Sequence, residues 1–262
     1  LQPHRLLRIT PLKPFLQKLR SGQPTIGGWI SFASSYVAEL LANAGFDWVV
    51  VDAEHGVVNP ETLQSMLQAI HAQRVPALVR LPESSPLPIK RALDAGADGI
   101  IAPMVLSAEH AEAVVTASRF PPVGRRSVGL GRWRFMQDDT HPPAVNDEVA
   151  VIVMIEHRDA VEAIDDILAV PGIDAIFVGP TDLGASLGYD SRQVERAIET
   201  IVASAGKHDI AAGIHVKTPE QALERIRQGF RFIALSEAGR MIQRTSREFL
   251  QTIRDGSTDS SA

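Results

Sequence analysis

Eight short apolar runs alternate along this chain with segments whose apolar residues have helical spacing, and no other feature restricts the fold as strongly. The runs are apolar almost throughout, which is typical of strands that helices cover on both faces. They predict strands over residues 26–30, 47–52, 77–81, 99–105, 151–156, 174–179, 212–216 and 230–235. Eight strand–helix units within 262 residues predict an α/β protein, a single-domain (β/α)8 TIM barrel with an N-terminal helix and an extra C-terminal helix.

The ends of several predicted helices carry residues with a known capping role. Asn59–Pro60 and Thr218–Pro219 each place a capping side chain before a first-turn proline. Glycine readily adopts the left-handed conformation that ends a helix. Three helices are expected to end in this way, at Gly45, Gly96 and Gly229.

An open, doubly wound sheet is the alternative to a barrel. It would typically have fewer strands and a glycine-rich dinucleotide loop directly after one of them. The segment "GLGRWR" (129–134) lacks the third glycine and does not follow a strand directly. We therefore assign residues 1–255 to one barrel domain and 256–262 to a disordered tail, with a long irregular segment over 121–149.

The composition excludes several classes of protein. The formal net charge is −5 and the basic residues form no stripe, which argues against a nucleic-acid partner. The chain has no cysteine, which excludes disulfides, thiolate metal sites and cysteine nucleophiles. No apolar run approaches the ~20 residues of a membrane span, and the N-terminal segment lacks the apolar core of a signal peptide. We expect a soluble, cytoplasmic protein without a membrane partner.

Polar side chains follow many of the predicted strands. In a barrel of parallel strands the carboxyl ends meet on one face, where catalytic residues are expected. The residues at these ends are Asp52, Glu54, His55, Arg80, Glu156, Asp182, His215 and Lys217. Carboxylates, a guanidinium and imidazoles in one place predict a metal-binding and acid–base site.

Each of these residues also has a purely structural interpretation. Asp182 is in a position typical of a helix N-cap, Arg80 can pair with a nearby carboxylate, and His215 can be structural. Glu156 is harder to explain in this way, because an unpaired carboxylate beside apolar residues is unfavourable. Asp94, at the end of a helix, has the spacing of an exposed charge. Four histidines are predicted to lie on the surface: His71, His110, His141 and His208.

Four segments carry motifs in a combination that is typical of one enzyme family. Glu-His-Gly follows the second strand, Ile-Glu the fifth and Gly-Pro-Xaa-Asp-Leu the sixth. The segments are "AGFDWVVVDAEHG", "VRLPESSPLPIKRALDAGADGIIAPMV", "VMIEHRDAVEAIDDILAVPGIDAIFVGPTDLGASLG" and "GFRFIALS". Over residues 24–240 the chain resembles the HpcH/HpaI aldolases, metal-dependent class II pyruvate aldolases of the 4-hydroxy-2-oxoheptanedioate or 2-dehydro-3-deoxyglucarate type.

The resemblance implies a divalent metal, Mg²⁺, Mn²⁺ or Co²⁺, held by Glu156 and Asp182, since hard cations prefer oxygen ligands. Pyruvate would chelate it through its carboxylate and oxo oxygens. The resemblance further implies that Glu54 supports the water shell of the metal and that Arg80 stabilises the enolate. It also places the pyruvate carboxylate on the backbone of one short segment, made of Gly179, Pro180, Thr181 and Asp182.

The resemblance makes His55 the expected base. A neighbouring carboxylate, Asp52 or Asp94, would orient its ring and raise its basicity. The implied reaction is the reversible cleavage of a 4-hydroxy-2-oxo acid to pyruvate, or hydroxypyruvate, and an aldehyde. The sequence leaves open whether His55 or a water molecule is the immediate base.

Two segments depart from the family pattern, and both are expected near the aldehyde. Ser127 stands where many relatives have a second glycine, and "ALSEAGRMI" follows the eighth strand where relatives often have Gly-Xaa-Asp. The aldehyde, the physiological metal and the stereochemistry therefore stay open. Three arginines of the long segment either bind an acidic part of the aldehyde substrate, reach into a neighbouring subunit, or are solvated, which is the commoner case: Arg126, Arg132 and Arg134.

Two other functions are alternatives. A Schiff-base aldolase needs a nucleophilic lysine at a strand end, and of five lysines only Lys217 is so placed. The second alternative is that the chain is a relative of these aldolases that carries out different enolate chemistry or only binds its ligand. The resemblance also implies a homo-oligomer, a hexamer or trimer of dimers, in which the last helix packs on a neighbour. From its residues alone, this amphipathic helix fits equally well a role in closing the barrel of its own chain.

Overall fold

The computed structural model describes residues 12–136 and 141–258, which form a closed barrel of eight parallel strands in the order β1 to β8. The predicted (β/α)8 barrel, with its N-terminal and C-terminal helices, is confirmed. The strands are β1 (Thr25–Ile30), β2 (Trp48–Asp52), β3 (Ala77–Arg80), β4 (Gly99–Ala102), β5 (Ala150–Ile155), β6 (Ala175–Val178), β7 (Ala211–Val216) and β8 (Phe232–Glu237).

The helices surround this barrel, and their predicted caps are present. They are α1 (Leu12–Arg20), α2 (Ser35–Asn43), α3 (Pro60–Ala72), α4 (Pro86–Asp94), α5 (Ala108–Ser118), α6 (Trp133–Met136), α7 (Arg158–Glu162), α8 (Ile164–Leu168), α9 (Pro180–Ser186), α10 (Ser191–Lys207), α11 (Pro219–Arg227) and α12 (Ala238–Thr258). Asn59 caps α3 by accepting the N–H of Thr62 at 2.9 Å. Gly45, Gly96 and Gly229 have φ angles of 96°, 97° and 110°, as expected of residues that end helices. None of the helices in the described ranges is long and apolar enough to cross a membrane.

The apolar core has two layers, one between the barrel and its helices and one inside the barrel. The inner layer is aromatic at the amino-terminal end of the barrel. The Trp48 and Phe232 rings lie 4.2 Å apart, and Phe15 of α1 packs against both. A Cβ at Gly27 would collide with Trp48, and one at Gly213 with Phe232, so glycine at both positions gives the aromatic rings room. This end of the barrel is filled, so a ligand can enter the barrel only from the carboxyl end.

Two boundaries differ from the prediction for local reasons. β4 ends at Ala102 rather than near Val105, since Pro103 has no N–H for the ladder. The predicted tail, 256–262, is helical at its start: α12 continues through Gly256 to Thr258, because Gly256 does not adopt the positive φ that ends a helix. Residues 259–262 lie outside the described residues.

The segment over 121–149 is not irregular throughout. It contains α6 and a 3-10 helix (Pro142–Glu148), and Trp133 and Val145 form an apolar cluster with Phe120. Arg126, which was predicted to be solvated or to bind substrate, is 4% exposed and lies 4.4 Å above the Phe120 ring. Parts of the segment, at Arg126, Trp133 and Val145, are therefore buried, whereas most of residues 121–130 are exposed.

His71 also differs from its predicted surface position. Its Nε2 lies 2.7 Å from the buried Asp98, and its Nδ1 lies 3.0 Å from Arg132 Nη1. The prediction failed because Asp98 and Arg132 are 27 and 61 residues away along the chain. Arg132 thus ties the segment after α5 to helix α3.

Candidate active site

A cavity of about 300 Å³ opens at the carboxyl end of the barrel. Most of the side chains predicted from the strand ends surround it, together with several that were not predicted. The lining residues at the ends of β1 to β3 are Trp29, Ser31, Asp52, His55 and Arg80. Those from β5 to α12 are Met154, Phe177, Gly179, Pro180, Thr181, Asp182, His215, Glu237 and Arg240.

Arg80 and Asp52 form a buried, doubly hydrogen-bonded ion pair at the base of this cavity. Arg80 Nε donates to Asp52 Oδ1 at 3.0 Å and Nη2 donates to Oδ2 at 2.5 Å. The residues are neighbours because β2 and β3 pair with Asp52 opposite Arg80. Burial acts to raise the pKa of Asp52, but the hydrogen bonds and charge of Arg80 outweigh it and hold that pKa below its ordinary value. The guanidinium is thus fixed as a cation.

Trp29 and Glu54 complete the surroundings of Arg80. Arg80 lies 5.1 Å from the centre of the Trp29 ring, and Trp29 Nε1 donates to Asp52 Oδ2 at 3.2 Å. Glu54 Oε2 is 3.0 Å from Arg80 Nη1, but this buried oxygen has no hydrogen-bond donor among the described residues. Burial raises the pKa of Glu54 despite the positive charge of Arg80. Glu54 therefore keeps an acceptor oxygen without a donor.

Glu156 is the most perturbed carboxyl group of the site. It follows β5, is 2% exposed, and its Oε1 accepts the N–H of Met104 at 2.8 Å. Burial, together with the negative charges of Asp182 and Glu54, raises the pKa of Glu156 to about 7. A carboxylate in this position is stabilised by a nearby cation.

Asp182 and Gly179 lie beside Glu156 at the end of β6. Asp182 is in the first turn of α9, and a Cβ at Gly179 would collide with Glu156 Oε2. In residues 12–136 and 141–258 neither Glu156 nor Asp182 forms an ion pair with a basic side chain. Carboxylate oxygens such as those of Glu156 and Asp182 are the ligands that a hard divalent cation prefers. The same described part of the chain contains no group of three or more acidic or histidine residues arranged to hold a metal, so such an ion would need further oxygen ligands.

His55 lies at the rim of the cavity, and its backbone rather than its ring is held by Asp52. Asp52 Oδ1 accepts the N–H groups of Glu54 at 3.1 Å and His55 at 3.2 Å. The predicted dyads with Asp52 and Asp94 are not formed in the described part of the chain. Asp52 is engaged by Arg80, and Asp94 accepts a 2.8 Å hydrogen bond from Arg126 and lines a different cavity, of about 670 Å³.

His215 and Lys217 of the β7 end have different environments. The His215 ring lies edge-on to Trp29, with centroids 5.8 Å apart. Burial, and then the positive charges of Arg240, Arg80 and Lys217, lower the pKa of His215 to about 4. Lys217 is exposed and lines an adjoining cavity rather than the one that contains Arg80.

Seven residues of the site were missed at the level of sequence, among them Ser31, Met154 and Phe177, and four others contact or carry its charged groups. These four are Trp29, Met104, Glu237 and Arg240. Trp29 lies within an apolar run, where an inward-facing residue cannot be told from an outward-facing one. Glu237 and Arg240 lie just past the predicted end of the eighth strand. The departure of "ALSEAGRMI" from its relatives was the one available indication of their position.

Known proteins are similar to this chain over most of its length. A family model described as HpcH/HpaI aldolase/citrate lyase matches residues 25–243. The 2-keto-3-deoxy-L-rhamnonate aldolase of Escherichia coli (strain K12) is 37% identical over 231 residues, which cover 85% of this chain and 86% of that protein.

Solved structures show the same similarity. The crystal structure of a HpcH/HpaI aldolase/citrate lyase family protein from Burkholderia cenocepacia J2315 has a TM-score of 0.88 at 35% identity, covering 92% of this chain and 99% of that one. The structure of the citrate synthase SbnG has a TM-score of 0.82 at 30% identity, covering 92% and 98%.

Proposed function

The chain belongs to the HpcH/HpaI aldolase/citrate lyase family and is a carbon–carbon lyase, and we propose that it cleaves a 4-hydroxy-2-oxo acid to pyruvate, or hydroxypyruvate, and an aldehyde. One observation carries this proposal. Glu156 is a buried carboxyl group that lies beside two other carboxylates and within electrostatic range of the fixed cation Arg80. A site that binds an oxo acid through a divalent cation needs this combination of charges.

The proposed metal, Mg²⁺, Mn²⁺ or Co²⁺, is held by Glu156 and Asp182, with Glu54 nearby. When bound, such an ion supplies Lewis-acid polarisation of the substrate and a fixed point of attachment for its carboxylate and oxo oxygens. Gly179 leaves the space that the Glu156 carboxylate occupies. The backbone of Gly179 to Asp182, at the start of α9, would receive the carboxylate of the oxo acid, where negative charge is favoured.

Arg80 is proposed to face the oxo oxygen of the substrate. Cleavage of the C3–C4 bond leaves an electron pair that moves toward this oxygen, so negative charge develops there. Asp52 and Trp29 hold the guanidinium before the substrate arrives, so little reorganisation is needed as the charge forms. Asp52 is thus a positioning residue for Arg80.

His55 is proposed as the base. Its ring is exposed at the rim of the cavity, where it can accept the proton of the C4 hydroxyl group as the C3–C4 bond breaks. The protonated His55 would then return this proton to C3 of the enolate, which completes pyruvate and frees the base, and the reverse transfer would exchange the C3 protons. Asp52 would set the position of His55 through the backbone of residues 54–55.

Deuterium exchange into the C3 methyl group of pyruvate in D₂O tests this proposal without any knowledge of the aldehyde. We expect exchange with added Mn²⁺ or Mg²⁺, no exchange in chelator, and loss of exchange in His55→Ala and Glu156→Ala. Matched controls are His208→Ala and Glu195→Gln. Both residues lie in surface ion pairs outside the cavity, with Asp165 and Arg225. Exchange that is equal in the two site variants and the wild type would refute the proposed roles.

The same experiment separates the two alternatives. Exchange that persists in chelator, together with borohydride trapping of pyruvate on Lys217, would indicate a Schiff base. The similarity to a citrate synthase structure keeps other enolate chemistry open. Absence of exchange with intact pyruvate binding would favour a different oxo acid or a binding role.

We further propose that the protein is a homo-oligomer, a hexamer or trimer of dimers. Support comes from α12, whose apolar residues Ile242, Phe249 and Ile253 are 56%, 66% and 68% exposed in the single chain. A contiguous apolar surface of this kind is typical of an interface. Sedimentation velocity measures the assembly directly, and a monomer at micromolar concentration would refute the proposal.

A further inference from the structure

The turn that follows β4 has an unusual backbone conformation. Met104 has a φ angle of 52°, in the left-handed region that residues with a side chain rarely adopt. The Met104 side chain is 41% exposed, so its own packing does not explain this conformation. Strained residues of this kind are concentrated at functional sites, where the surrounding structure holds them in place. The hydrogen bonds of the backbone at Met104 give a reason for the strain.

The N–H group of Met104 is directed at the most perturbed carboxyl group of the site. It donates to Glu156 Oε1 at 2.8 Å. The two residues are close because β4 and β5 pair with Ala102 opposite Val153, so the turn after β4 lies beside the residue that follows β5. Glu156 is 2% exposed, and among the described residues Met104 alone donates a hydrogen bond to its carboxylate. The left-handed turn thus brings a backbone donor to the carboxyl group that is proposed to hold the cation.

A second hydrogen bond holds the other side of the same peptide group. Ser84 Oγ, in the loop after β3, donates to the carbonyl oxygen of Pro103 at 2.5 Å. That carbonyl and the N–H of Met104 belong to one planar peptide unit and point in opposite directions. Ser84 therefore sets the direction in which the Met104 N–H points. A chain of hydrogen bonds runs from the loop after β3 to Glu156, and each bond polarises the next.

This chain of hydrogen bonds engages one oxygen of Glu156 and leaves the other free. Oε2 lies against Gly179, where an added Cβ would collide with it, and it accepts no hydrogen bond from residues 12–136 and 141–258. Asp182 follows in the same segment as Gly179, in the first turn of α9. A cation between Glu156 and Asp182 would therefore meet Oε2 rather than Oε1.

We propose, on the basis of the proposed function, that Ser84 and the peptide group between Pro103 and Met104 are positioning groups, which turn Glu156 so that only Oε2 binds the cation. Mg²⁺ requires near-octahedral geometry with short bonds, whereas Ca²⁺ takes about six to eight oxygen ligands and often both oxygens of a carboxylate. A carboxylate that is held to one oxygen suits a small octahedral cation and disfavours Ca²⁺. The turn after β4 thus contributes to the choice of metal.

Substitution of Ser84 tests this inference through metal binding, without substrate or turnover. By titration calorimetry, we expect the wild type to bind Mn²⁺ at least about tenfold more tightly than Ca²⁺. Ser84→Ala should raise the Kd for Mn²⁺ about tenfold and that for Ca²⁺ by less than about twofold, because only the small cation depends on the orientation of Glu156. Ser84→Thr keeps the hydroxyl group and should retain both affinities. The control is Ser65→Ala, which removes a hydroxyl group that donates to the Glu61 carbonyl on the surface of α3, and it should change neither affinity.

Two substitutions of Met104 separate the conformation of the turn from the side chain. Met104→Gly removes the side chain but adopts the left-handed conformation without strain, so the Kd for Mn²⁺ should not change. Met104→Val has a β-branched side chain that disfavours this conformation. Its N–H should turn away from Glu156, and the Kd for Mn²⁺ should rise about tenfold. If both variants weaken Mn²⁺ binding equally, the side chain rather than the turn is responsible, and the inference is overturned.

Two other results would overturn the inference. One is a Kd for Mn²⁺ in Ser84→Ala within about twofold of the wild type, and the other is an equal loss of affinity for Mn²⁺ and Ca²⁺, which a general loosening of the site would give. Deuterium exchange into pyruvate, measured on the same samples, separates the two proposals. Metal-dependent exchange in the wild type, with unchanged Mn²⁺ affinity in Ser84→Ala, would overturn this inference alone. A wild type that binds neither cation and gives no exchange would overturn the proposed function as well.

Discussion

Replacement of Glu156 by glutamine should stabilise the metal-free protein at neutral and alkaline pH. Burial raises the pKa of this carboxyl from its ordinary value of 4.5 to about 7 in the folded chain. Between these two pH values the folded state keeps a proton that the unfolded chain has released, so the free energy of unfolding falls as pH rises. Above pH 7 the free energy of unfolding is lower than at acid pH by the whole contribution of Glu156. At about 1.4 kcal/mol per pKa unit, this contribution is roughly 3 kcal/mol.

The pH profile of the wild type alone would hide this effect. His215 has its pKa lowered from 6.5 to about 4 in the folded chain, so its contribution to the free energy of unfolding rises between those pH values. The contributions of Glu156 and His215 oppose each other over most of this range. The contribution of His215 is the same in Glu156→Gln and in the wild type, so it cancels when their free energies of unfolding are subtracted. The difference that remains is due to Glu156.

The assay is urea unfolding in chelator, at fixed protein concentration, from pH 4.5 to pH 8.5. The variant should match the wild type at the acid end and exceed it by roughly 3 kcal/mol at the alkaline end. Addition of Mn²⁺ should then stabilise the wild type and not the variant, because the cation binds only the folded site.

The control is Glu195→Gln, in which a surface carboxylate is replaced. The hydrogen bond from Arg225 lowers the pKa of Glu195, so this change should not stabilise the protein at high pH. If the profiles of Glu156→Gln and the wild type run parallel across the range, Glu156 titrates at an ordinary pKa. The argument from burial and like charges would then be refuted.

Two other substitutions test the geometry of the site. Gly179→Ala introduces a Cβ that would collide with Glu156 Oε2. We expect it to weaken Mn²⁺ binding about ten- to a hundredfold, as measured by titration calorimetry. Unchanged affinity would mean that Glu156 is not a ligand. Arg80→Lys keeps the positive charge but loses the two hydrogen bonds to Asp52. We expect kcat for cleavage to fall by about a hundredfold or more, with little change in Mn²⁺ affinity. A kcat within threefold of the wild type would contradict the role assigned to Arg80.

Much of the fold could be predicted from the sequence because the relevant interactions are local. The apolar runs identified all eight strands, with boundaries within a few residues of those observed. An N-cap such as Asn59, or a glycine that ends a helix such as Gly96, acts within one helical turn. The neighbouring residues are therefore enough to predict where these helices begin and end. The boundary of β4 shifted for a reason that was also local, the missing N–H of Pro103.

The candidate site was predictable to the extent that it follows from parallel strands. The carboxyl ends of such strands meet at one face, so polar residues there are brought together whatever the details of packing. This reasoning anticipated that Arg80, Asp182 and His55 would line one cavity, with Glu156 within electrostatic range of Arg80 and Asp182. It did not anticipate their partners, since Asp52 was expected to orient the ring of His55 and instead holds Arg80.

Partners far apart along the chain were decided by tertiary structure alone. Asp94 is 32 residues from Arg126, and this pair forms only because Arg126, in the segment after α5, packs back beside helix α4. His71 is 27 residues from Asp98, and this pair forms only because α3 packs on the barrel. The position of Trp29 over Arg80 likewise depends on which face of β1 turns inward, and a continuously apolar strand does not specify this. The sequence by itself determined the barrel and the residue types at its mouth, because periodicity and capping are short-range. Which charge neutralises which, and which cations are left for a substrate, depended on contacts that exist only once the barrel is closed.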